Sequence, residues 1–214
     1  MSTLEERPKV TPADAHSEAV AAEPAAGDPA VLGLPAFVIG SLALGLALIG
    51  YVPAAAQGGI VPIVFAATGL GLFLATIWAA MLAQTVVAGI FGIFSGFWWS
   101  YAALVLGLDH KWYAIPAADA NKVVGVFLLC WTLLIAVLTI ATLRLPSAFT
   151  LLLGLATVAL ALVTIGTLHP QTTRVKTGGV VVLVFAALGA YLFLSASAAA
   201  LGGRGYALGR PLQP

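Results

Sequence analysis

Residues 87–108 read VAGIFGIFSGFWWSYAALVLGL, an apolar stretch without a charged side chain that decides the fold class. As an α-helix, about 20 such residues at a rise of 1.5 Å each cross a bilayer core of about 30 Å. Gly89, Gly92 and Gly96 fall at helical spacing, which lets another backbone approach closely without a driving force from water. Six aromatic side chains stand beside them and can form a wall or a constriction. We interpret the stretch as a membrane helix on the inner face of a transport pore.

Charged residues are absent from long segments on both sides of this stretch. The chain has 214 residues, of which 61% are hydrophobic and 8% are charged, against about 25% charged residues in soluble domains. No Asp, Glu, Lys or Arg lies in residues 29–108, 123–143, 145–173 or 177–203. This pattern predicts an all-α integral membrane domain with several spans and excludes a soluble domain with a single anchor.

The uncharged intervals divide into six predicted membrane helices, numbered one to six along the chain. Their expected bounds are residues 34–52, 60–82, 87–108, 123–143, 148–168 and 178–201. A turn at residues 57–59 is expected to separate helices one and two, with Pro62 in the first turn of helix two. We also expect a hydrophilic loop at residues 109–122 and a short loop at residues 169–176. An even number of helices places both termini on the same side of the membrane.

The two ends of the chain differ in composition from the helices. Residues 1–28 are rich in Ala, Pro and Glu and are predicted to be a disordered tail, because they cannot bury enough apolar surface to offset their ordering entropy. Residues 29–203 form the predicted six-helix transport domain, and residues 204–214 a polar tail. Lys and Arg number five on the terminal side and four on the other, which favours cytoplasmic termini. The expected location is the cell membrane, plasma or inner, as a multi-pass protein.

Several classes of function have no candidate residues in the predicted helices. No Asp, Glu, Lys or Arg lies within them, so a pump or carrier that relies on a buried carboxylate is excluded. The zinc-protease motif HExxH is absent, and His16, His110 and His169 all lie outside the helices. Cys130 is the only cysteine, which excludes an internal disulfide and a cysteine metal cluster. We expect no enzyme, no cofactor and no metal, and the net charge of +1 gives no reason to expect a nucleic-acid partner.

Hydroxyl side chains are the polar groups that remain within the helices. A Ser or Thr hydroxyl on a helix can hydrogen-bond to the carbonyl four residues earlier, and this explains most of them without a function. Ser95 and Ser100, beside the aromatic residues of helix three, are our candidates for hydrogen bonding to a small solute in a pore. The glycines of that helix have an alternative interpretation of their own, which is close helix packing.

Two motifs resemble one known family. Residues 28–34, DPAVLGL, followed by Phe37, resemble the Asn-Pro-Ala-Pro-Leu-Gly-Leu-x-x-Phe signature of the acetate uptake transporters, also called succinate–acetate permeases. Residues 94–98, FSGFW, are similar to the Tyr-Gly-Ser-Phe-Trp of that family. Further similarity in helices four, five and six extends the resemblance over residues 28–210. The signature positions in this chain are Asp28, Pro29, Leu32, Gly33 and Leu34.

The resemblance implies a six-helix protomer with its own central pore, assembled as a homo-hexamer in the lipid bilayer. It also implies passage of acetate and related small carboxylates such as succinate, through a pore narrowed by apolar side chains of helices one, three and five. The family motifs put Phe37 at the first of these sites and Phe94 at the second, where the family often has Tyr. Counting back from the helix-five motif puts Ala156 at the third, with Leu155 or Thr157 as alternatives if the register slips. Alternatively, Phe37 and Phe94 could be ordinary aromatic residues that pack against other helices or face the lipid, with no role in a pore.

The chain departs from the family pattern at several positions. Asp28 stands where the signature has Asn, and Val31 where it has its second Pro. The Tyr-Gly-Gly-x-x-Gln pattern of helix two is reduced to TGLGL at residues 68–72. The loop after helix two, MLAQT at residues 81–85, carries no charge, although that loop is usually charged in the family. These changes are compatible with altered selectivity or with loss of transport.

We expect facilitated diffusion of acetate or similar small mono- and dicarboxylates through a neutral pore gated by Phe37 and Phe94. Loss of hydration between the two rings makes passage easier for the protonated acid than for the carboxylate. Two alternatives stay open. One is a non-transporting membrane assembly protein, and the other is a channel for a small neutral solute such as ammonia or glycerol.

Overall fold

Residues 27–213 are described by the computed structural model, and their regular structure is entirely helical. The six α-helices are α1 Ala30–Ile49, α2 Gly71–Met81, α3 Thr85–Asp109, α4 Ala120–Ala141, α5 Ser147–Leu168 and α6 Thr172–Ala200. Short helical segments at Ala54–Ile60 and Ile63–Leu70 lead into α2, so that the second membrane span is Ala54–Met81. The predicted disordered tail, apart from its last two residues, lies outside the described residues.

The six spans have the length and composition that a bilayer requires. Within residues 27–213, six helices of 20 to 29 residues are long and apolar enough to cross a membrane. A helix pairs its backbone N–H and C=O groups within itself, which is what the water-free core of a bilayer demands. The all-α, six-span fold class predicted from the charge-free intervals is confirmed.

The second span differs from the single helix that was predicted for residues 60–82. It begins with a 3₁₀ helix, Ala54–Ile60, where a turn was expected, continues as a π-helix, Ile63–Leu70, and becomes α-helical at Gly71. Pro62 lies at the junction of the first two segments, and it has no N–H to donate to an earlier carbonyl.

The π-helix is fixed to α3 by side-chain hydrogen bonds. The Ser95 hydroxyl donates to the carbonyl of Gly69 at 2.9 Å, and the Trp99 indole N–H donates to the carbonyl of Phe65 at 3.2 Å. Gly69 is required there, because a Cβ atom at this position would collide with the Trp99 ring. The altered helix and α3 therefore form one packed unit.

The ends of α1 differ from the predicted residues 34 and 52. The helix begins about one turn earlier, at Ala30, whose N–H donates to Oδ1 of Asp28 at 2.9 Å. It ends at Ile49, because Gly50 takes a left-handed conformation with φ +88° and donates its N–H back to the helix. The hydropathy pattern continues past this glycine, which is why the prediction extended the helix too far.

The loops predicted at residues 109–122 and 169–176 are longer than the observed ones. Helix α3 continues through Asp109, α4 already begins at Ala120, and α6 begins at Thr172. Charged residues were taken to mark loops, but here they lie on helical turns beyond the apolar part of a span, where long side chains can keep their charge in water. Helices three and five agree with the prediction to within two residues.

The six helices are arranged as a ring. Going around it, α1 packs against α6, α6 against α5 and α5 against α4, while α2 packs against both α1 and α3. Glycines allow the close contact of α1 with α6: a Cβ on Gly179 would lie 2.8 Å from the Leu48 side chain. Helices α3 and α4 have few close backbone approaches and meet through aromatic rings, with Phe97 and Trp131 5.4 Å apart between centroids. The ring is thereby closed around a central axis.

The polar tail predicted at residues 204–214 is folded back onto the helices as far as it is described. The carbonyl of Leu208 accepts the N–H of Ala148 at 3.0 Å, and Leu212 donates its N–H to the carbonyl of Leu143 at 3.0 Å. The Tyr191 hydroxyl of α6 donates to the carbonyl of Ala207 at 2.8 Å. These bonds tie the tail to the α4–α5 turn and to α6.

Candidate transport pathway

Two cavities lie inside the ring of helices and together define the candidate pathway. The terminal cavity, of about 500 Å³, includes Asp28 and Tyr206, which lie toward the two ends of the described chain. The distal cavity, of about 320 Å³, reaches Asp109 at the end of α3. Phe37 and Phe94 line both cavities. The cavities are therefore neighbours that meet where these two rings stand.

The order of lining residues along each helix places the cavities on opposite sides of the membrane domain. On α1, Leu34 lines the terminal cavity and Leu44 the distal one. On α6, which runs in the opposite direction, Val182 lines the distal cavity and Leu192 the terminal one. Helices α3 and α5 follow the same order as α1. The two cavities are in line along the axis of the ring.

Three aromatic side chains from three helices form a layer between the cavities. The Phe37 and Phe94 ring centroids are 5.0 Å apart with an interplanar angle of 73°, and Phe185 of α6 lies 5.6 Å from Phe37. None of the three is more than 6% exposed. An edge-to-face contact is a favourable arrangement of two rings, so a solute that moves between the cavities has to displace at least one of them. The sequence motif identified the first two rings and missed Phe185.

Ala156 lies on α5 and lines the distal cavity, with 3% of its surface exposed. Leu155 and Thr157, the alternatives for this position, are not among the residues that line either cavity. The Thr157 hydroxyl donates to the carbonyl of Leu153 and lies 3.0 Å from the hydroxyl of Thr139, so it connects α5 to α4. The register with Ala156 on the inner face is therefore the one that the helix adopts.

Ser95 and Ser100 lie on a different side of α3 from the pathway. Neither lines the two cavities. Ser95 donates its hydroxyl to Gly69, as described above, and Ser100 donates to the carbonyl of Gly96 at 2.7 Å. Their hydroxyl protons serve helix packing and local helix structure, so these two residues contribute no donor to either cavity.

The five signature residues surround the beginning of α1: Asp28, Pro29, Leu32, Gly33 and Leu34. Pro29 is buried, Leu32 is partly buried, and Leu34 lines the terminal cavity. Gly33 lies beneath the Phe91 ring of α3, where a Cβ atom would collide with it. The signature thus builds one wall of the terminal cavity and the contact between α1 and α3.

Trp98 and Tyr101 of α3 line the distal cavity, and neither was selected from the sequence. Their rings are perpendicular, with centroids 6.4 Å apart. They follow Phe94 by four and seven residues, the spacing that places side chains on one face of a helix. Once Phe94 was placed at the pore, this spacing was the signal that pointed to them.

Charge is confined to the two mouths of the pathway. Asp28 is the charged residue that lines the terminal cavity and Asp109 the one that lines the distal cavity, and both are exposed. No Lys, Arg or His belongs to the lining of these two cavities. The interior between the mouths is lined mainly by aliphatic and aromatic side chains, and its uncharged polar residues include Trp98, Tyr101, Gln57 and Thr167 in the distal cavity and Ser195 in the terminal one.

With this geometry established, comparison with known proteins identifies the family. The chain matches the GPR1/FUN34/yaaH family over residues 13–201. It belongs to this family. The match confirms the resemblance to the acetate uptake transporters, and a family of transporters and channels agrees with the expectation that the protein is not an enzyme.

Two curated relatives show how far the sequence similarity extends. Accumulation of dyads protein 2 from Saccharomyces cerevisiae is 30% identical over a 195-residue alignment, which covers 86% of this chain and 63% of that protein. Acetate transporter protein patA from Aspergillus clavatus is 30% identical over a 131-residue alignment, which covers 60% of this chain and 53% of that protein. The chain thus spans between half and two thirds of the length of these relatives.

A solved structure shares the fold of this chain. The bacterial acetate channel SatP superposes with a TM-score of 0.75 at 23% identity, covering 84% of this chain and 97% of that one. This likeness agrees with the six-helix ring described above. The protein is a multi-pass membrane protein of the GPR1/FUN34/yaaH family.

Proposed function

We propose that the protein is a membrane channel for acetate and similar small carboxylic acids, with a separate pathway in each protomer. The observation that carries the proposal is the pair of in-line cavities that meet at Phe37 and Phe94. The family, a relative named acetate transporter and the fold of an acetate channel support the substrate class. Succinate and other short dicarboxylates belong to the same proposal, because they share the carboxyl group.

Passage is by facilitated diffusion, and the acid crosses the aromatic layer in its protonated form. A carboxylic acid with a pKa of about 4 to 5 is mostly ionised at neutral pH, and removing its charge from water is expensive in an apolar passage. The lining of the two cavities offers no Lys, Arg or His to compensate that cost. Flux is therefore expected to rise as the pH falls, without a coupling residue in the protein.

The aromatic layer acts as the gate in this proposal. A solute enters one cavity, displaces the Phe37 or Phe94 ring, and reaches the other cavity while the rings close behind it. The small side chain of Ala156 leaves room on the α5 side of the distal cavity. The gate selects by size and by the cost of losing hydration.

We also propose a location in the cell membrane with cytoplasmic termini, as the charge pattern favours, and the hexameric assembly that the family resemblance implies. The outer face of α4 suits contact with lipid or with another protomer, because four of its large apolar side chains are more than 60% exposed. These are Val126, Leu133, Val137 and Ile140. Cross-linking of the purified protein in lipid, followed by native mass spectrometry, tests the number of protomers.

Uptake of labelled acetate into vesicles tests the function. Purified protein in liposomes is expected to raise the initial rate above that of protein-free liposomes, and to raise it more at pH 5 than at pH 7. Because protonated acetic acid also crosses lipid unaided, the protein-free rate has to be measured at each pH and subtracted. No additional flux at any pH from 5 to 7 would defeat the proposal and leave a non-transporting assembly protein as the better interpretation.

A channel for a small neutral solute is the second candidate, and the charges at the mouths favour it. Asp28 and Asp109 repel an anion before it enters, whereas a neutral molecule such as glycerol or ammonia is unaffected. Competition in the same vesicles separates the two functions. The second candidate would be established if the protein carries glycerol but no acetate, and if added acetate does not reduce the glycerol flux.

A further inference from the structure

The most unusual polar group along the pathway is the indole N–H of Trp98. The side chain is 2% exposed, lines the distal cavity and has no hydrogen-bond partner for Nε1 among residues 27–213. A buried donor without a partner is costly, and nearly all such groups in proteins are satisfied by protein, water or ligand. Two other buried side-chain atoms, the hydroxyl oxygens of Ser41 and Thr68, also lack a partner, but neither residue lines the two cavities.

The neighbouring tryptophan shows that α3 can satisfy an indole by packing. The Trp99 N–H donates to the carbonyl of Phe65 at 3.2 Å, on the side of α3 that faces the second span. Trp98 is rotated about 100° around the helix from Trp99 and lines the cavity instead. Two adjacent residues of the same type therefore have different environments, one closed by the protein and one at the pathway.

Tyr101 provides a second polar group in the same cavity. It lines the distal cavity one turn after Trp98, with the two rings 6.4 Å apart between centroids. A phenol hydroxyl both donates and accepts hydrogen bonds, whereas an indole N–H only donates. Apolar side chains such as Phe97 and Leu128 complete the surrounding wall.

We propose that Trp98 and Tyr101 form a binding site for the carboxyl group of the solute on the distal side of the aromatic gate; the proposal rests on the channel function above. The Trp98 N–H donates to the carbonyl oxygen, and the Tyr101 hydroxyl accepts from the acid O–H or donates to a carboxylate oxygen. The apolar wall receives the methyl group of acetate.

The site predicts a direct signal from the wild-type protein. The chain has five Trp residues, so ¹⁵N labelling of the indoles in lipid nanodiscs gives five N–H signals, and Trp98→Phe and Trp99→Phe identify two of them. Titration with acetate is expected to shift the Trp98 signal in a saturable way and to leave the Trp99 signal unchanged. A Trp98 signal that does not move at acetate concentrations that saturate flux would overturn the proposal.

Flux measurements provide the second test. Trp98→Phe and Tyr101→Phe keep the aromatic ring and remove one hydrogen bond each, so each is expected to raise the acetate concentration for half-maximal flux by about two- to twelvefold. Trp99→Phe is the matched control, because it removes an indole N–H that is already bonded, and it is expected to change this concentration by less than about twofold. Unchanged half-saturation in both Trp98→Phe and Tyr101→Phe would overturn the site.

The two tests separate this site from the function on which it rests. Acetate flux without an effect at Trp98 or Tyr101 would leave the channel intact and refute the site. A saturable Trp98 shift without any flux would support the binding site and refute the channel.

Discussion

Replacing Phe94 by Ala tests whether the aromatic layer is the barrier to transport. The substitution removes the ring that stands 5.0 Å from Phe37 and lines both cavities. An edge-to-face contact of this kind contributes about 0.5–1.5 kcal/mol beyond burial, and a solute has to break it in order to pass. If that contact is absent, the barrier falls by this amount and acetate flux rises by about two- to twelvefold.

The solute range gives a sharper readout than the acetate rate. Removal of the ring joins the terminal cavity of about 500 Å³ to the distal cavity of about 320 Å³, so solutes longer than acetate benefit most. Initial rates of labelled acetate, propionate and butyrate uptake into liposomes are to be compared at one pH. The ratio of butyrate to acetate flux is expected to increase in Phe94→Ala.

Phe73→Ala is the control for a general loosening of the fold. Phe73 is an aromatic residue of α2 that is 40% exposed and lines neither cavity. Because a buried Phe→Ala change can cost about 3–5 kcal/mol of stability, each variant is first checked for a monodisperse elution profile and for its unfolding temperature. Folded Phe94→Ala with wild-type rates and an unchanged butyrate ratio would refute the gate, as would an equal increase in Phe73→Ala.

Three substitutions and one deletion probe other parts of the pathway. Ala156→Leu adds bulk to the wall of the distal cavity and should slow acetate uptake by about tenfold. Equal uptake rates in this variant and in the wild-type protein would place the pathway elsewhere. Asp28→Asn and Asp109→Asn each remove a negative charge from a mouth. Because the proposed permeant is the uncharged acid, the ratio of acetate to acetamide flux at pH 7 should change by less than about twofold, and a larger rise that shrinks at high salt would show that the anion passes. Deleting residues 204–214 uncovers the terminal cavity, which Tyr206 helps to line; flux should increase, and a decrease in a folded variant would contradict a covering role.

The positions of charged residues in the sequence were enough to predict the number of membrane spans and the all-helical fold class. Charge-free intervals specify six spans because a bilayer excludes charged groups whatever the neighbouring helices do. The π-helix at Ile63–Leu70 could not be predicted, because it depends on contacts with α3 such as the Ser95 hydrogen bond to Gly69. The folded-back tail depends in the same way on the Tyr191 hydrogen bond to Ala207, between segments that are distant in sequence.

The sequence could indicate those residues of the candidate site that carry a family motif. It could not indicate the residues whose place in the site depends on how the helices pack. Phe37 and Phe94 were selected from family motifs. Their ring contact in the structure supports the hypothesis that they form the gate. Ser95 lies about 100° around the helix from Phe94, whereas Trp98 and Tyr101 lie within about 40° of it. Periodicity alone gives this arrangement, but it does not reveal which side of an apolar helix faces the axis. The neighbouring helices determine that side.

The most direct test of the central claim places a reactive group inside the proposed pathway. Ala156→Cys is combined with Cys130→Ser, because the exposed native thiol would otherwise react, and labelled acetate flux is measured before and after treatment with a small methanethiosulfonate reagent. If acetate passes along the axis of each protomer, modification of residue 156 abolishes flux, and acetate in excess slows the modification. Complete modification at residue 156 with undiminished acetate flux would show that the solute takes another route.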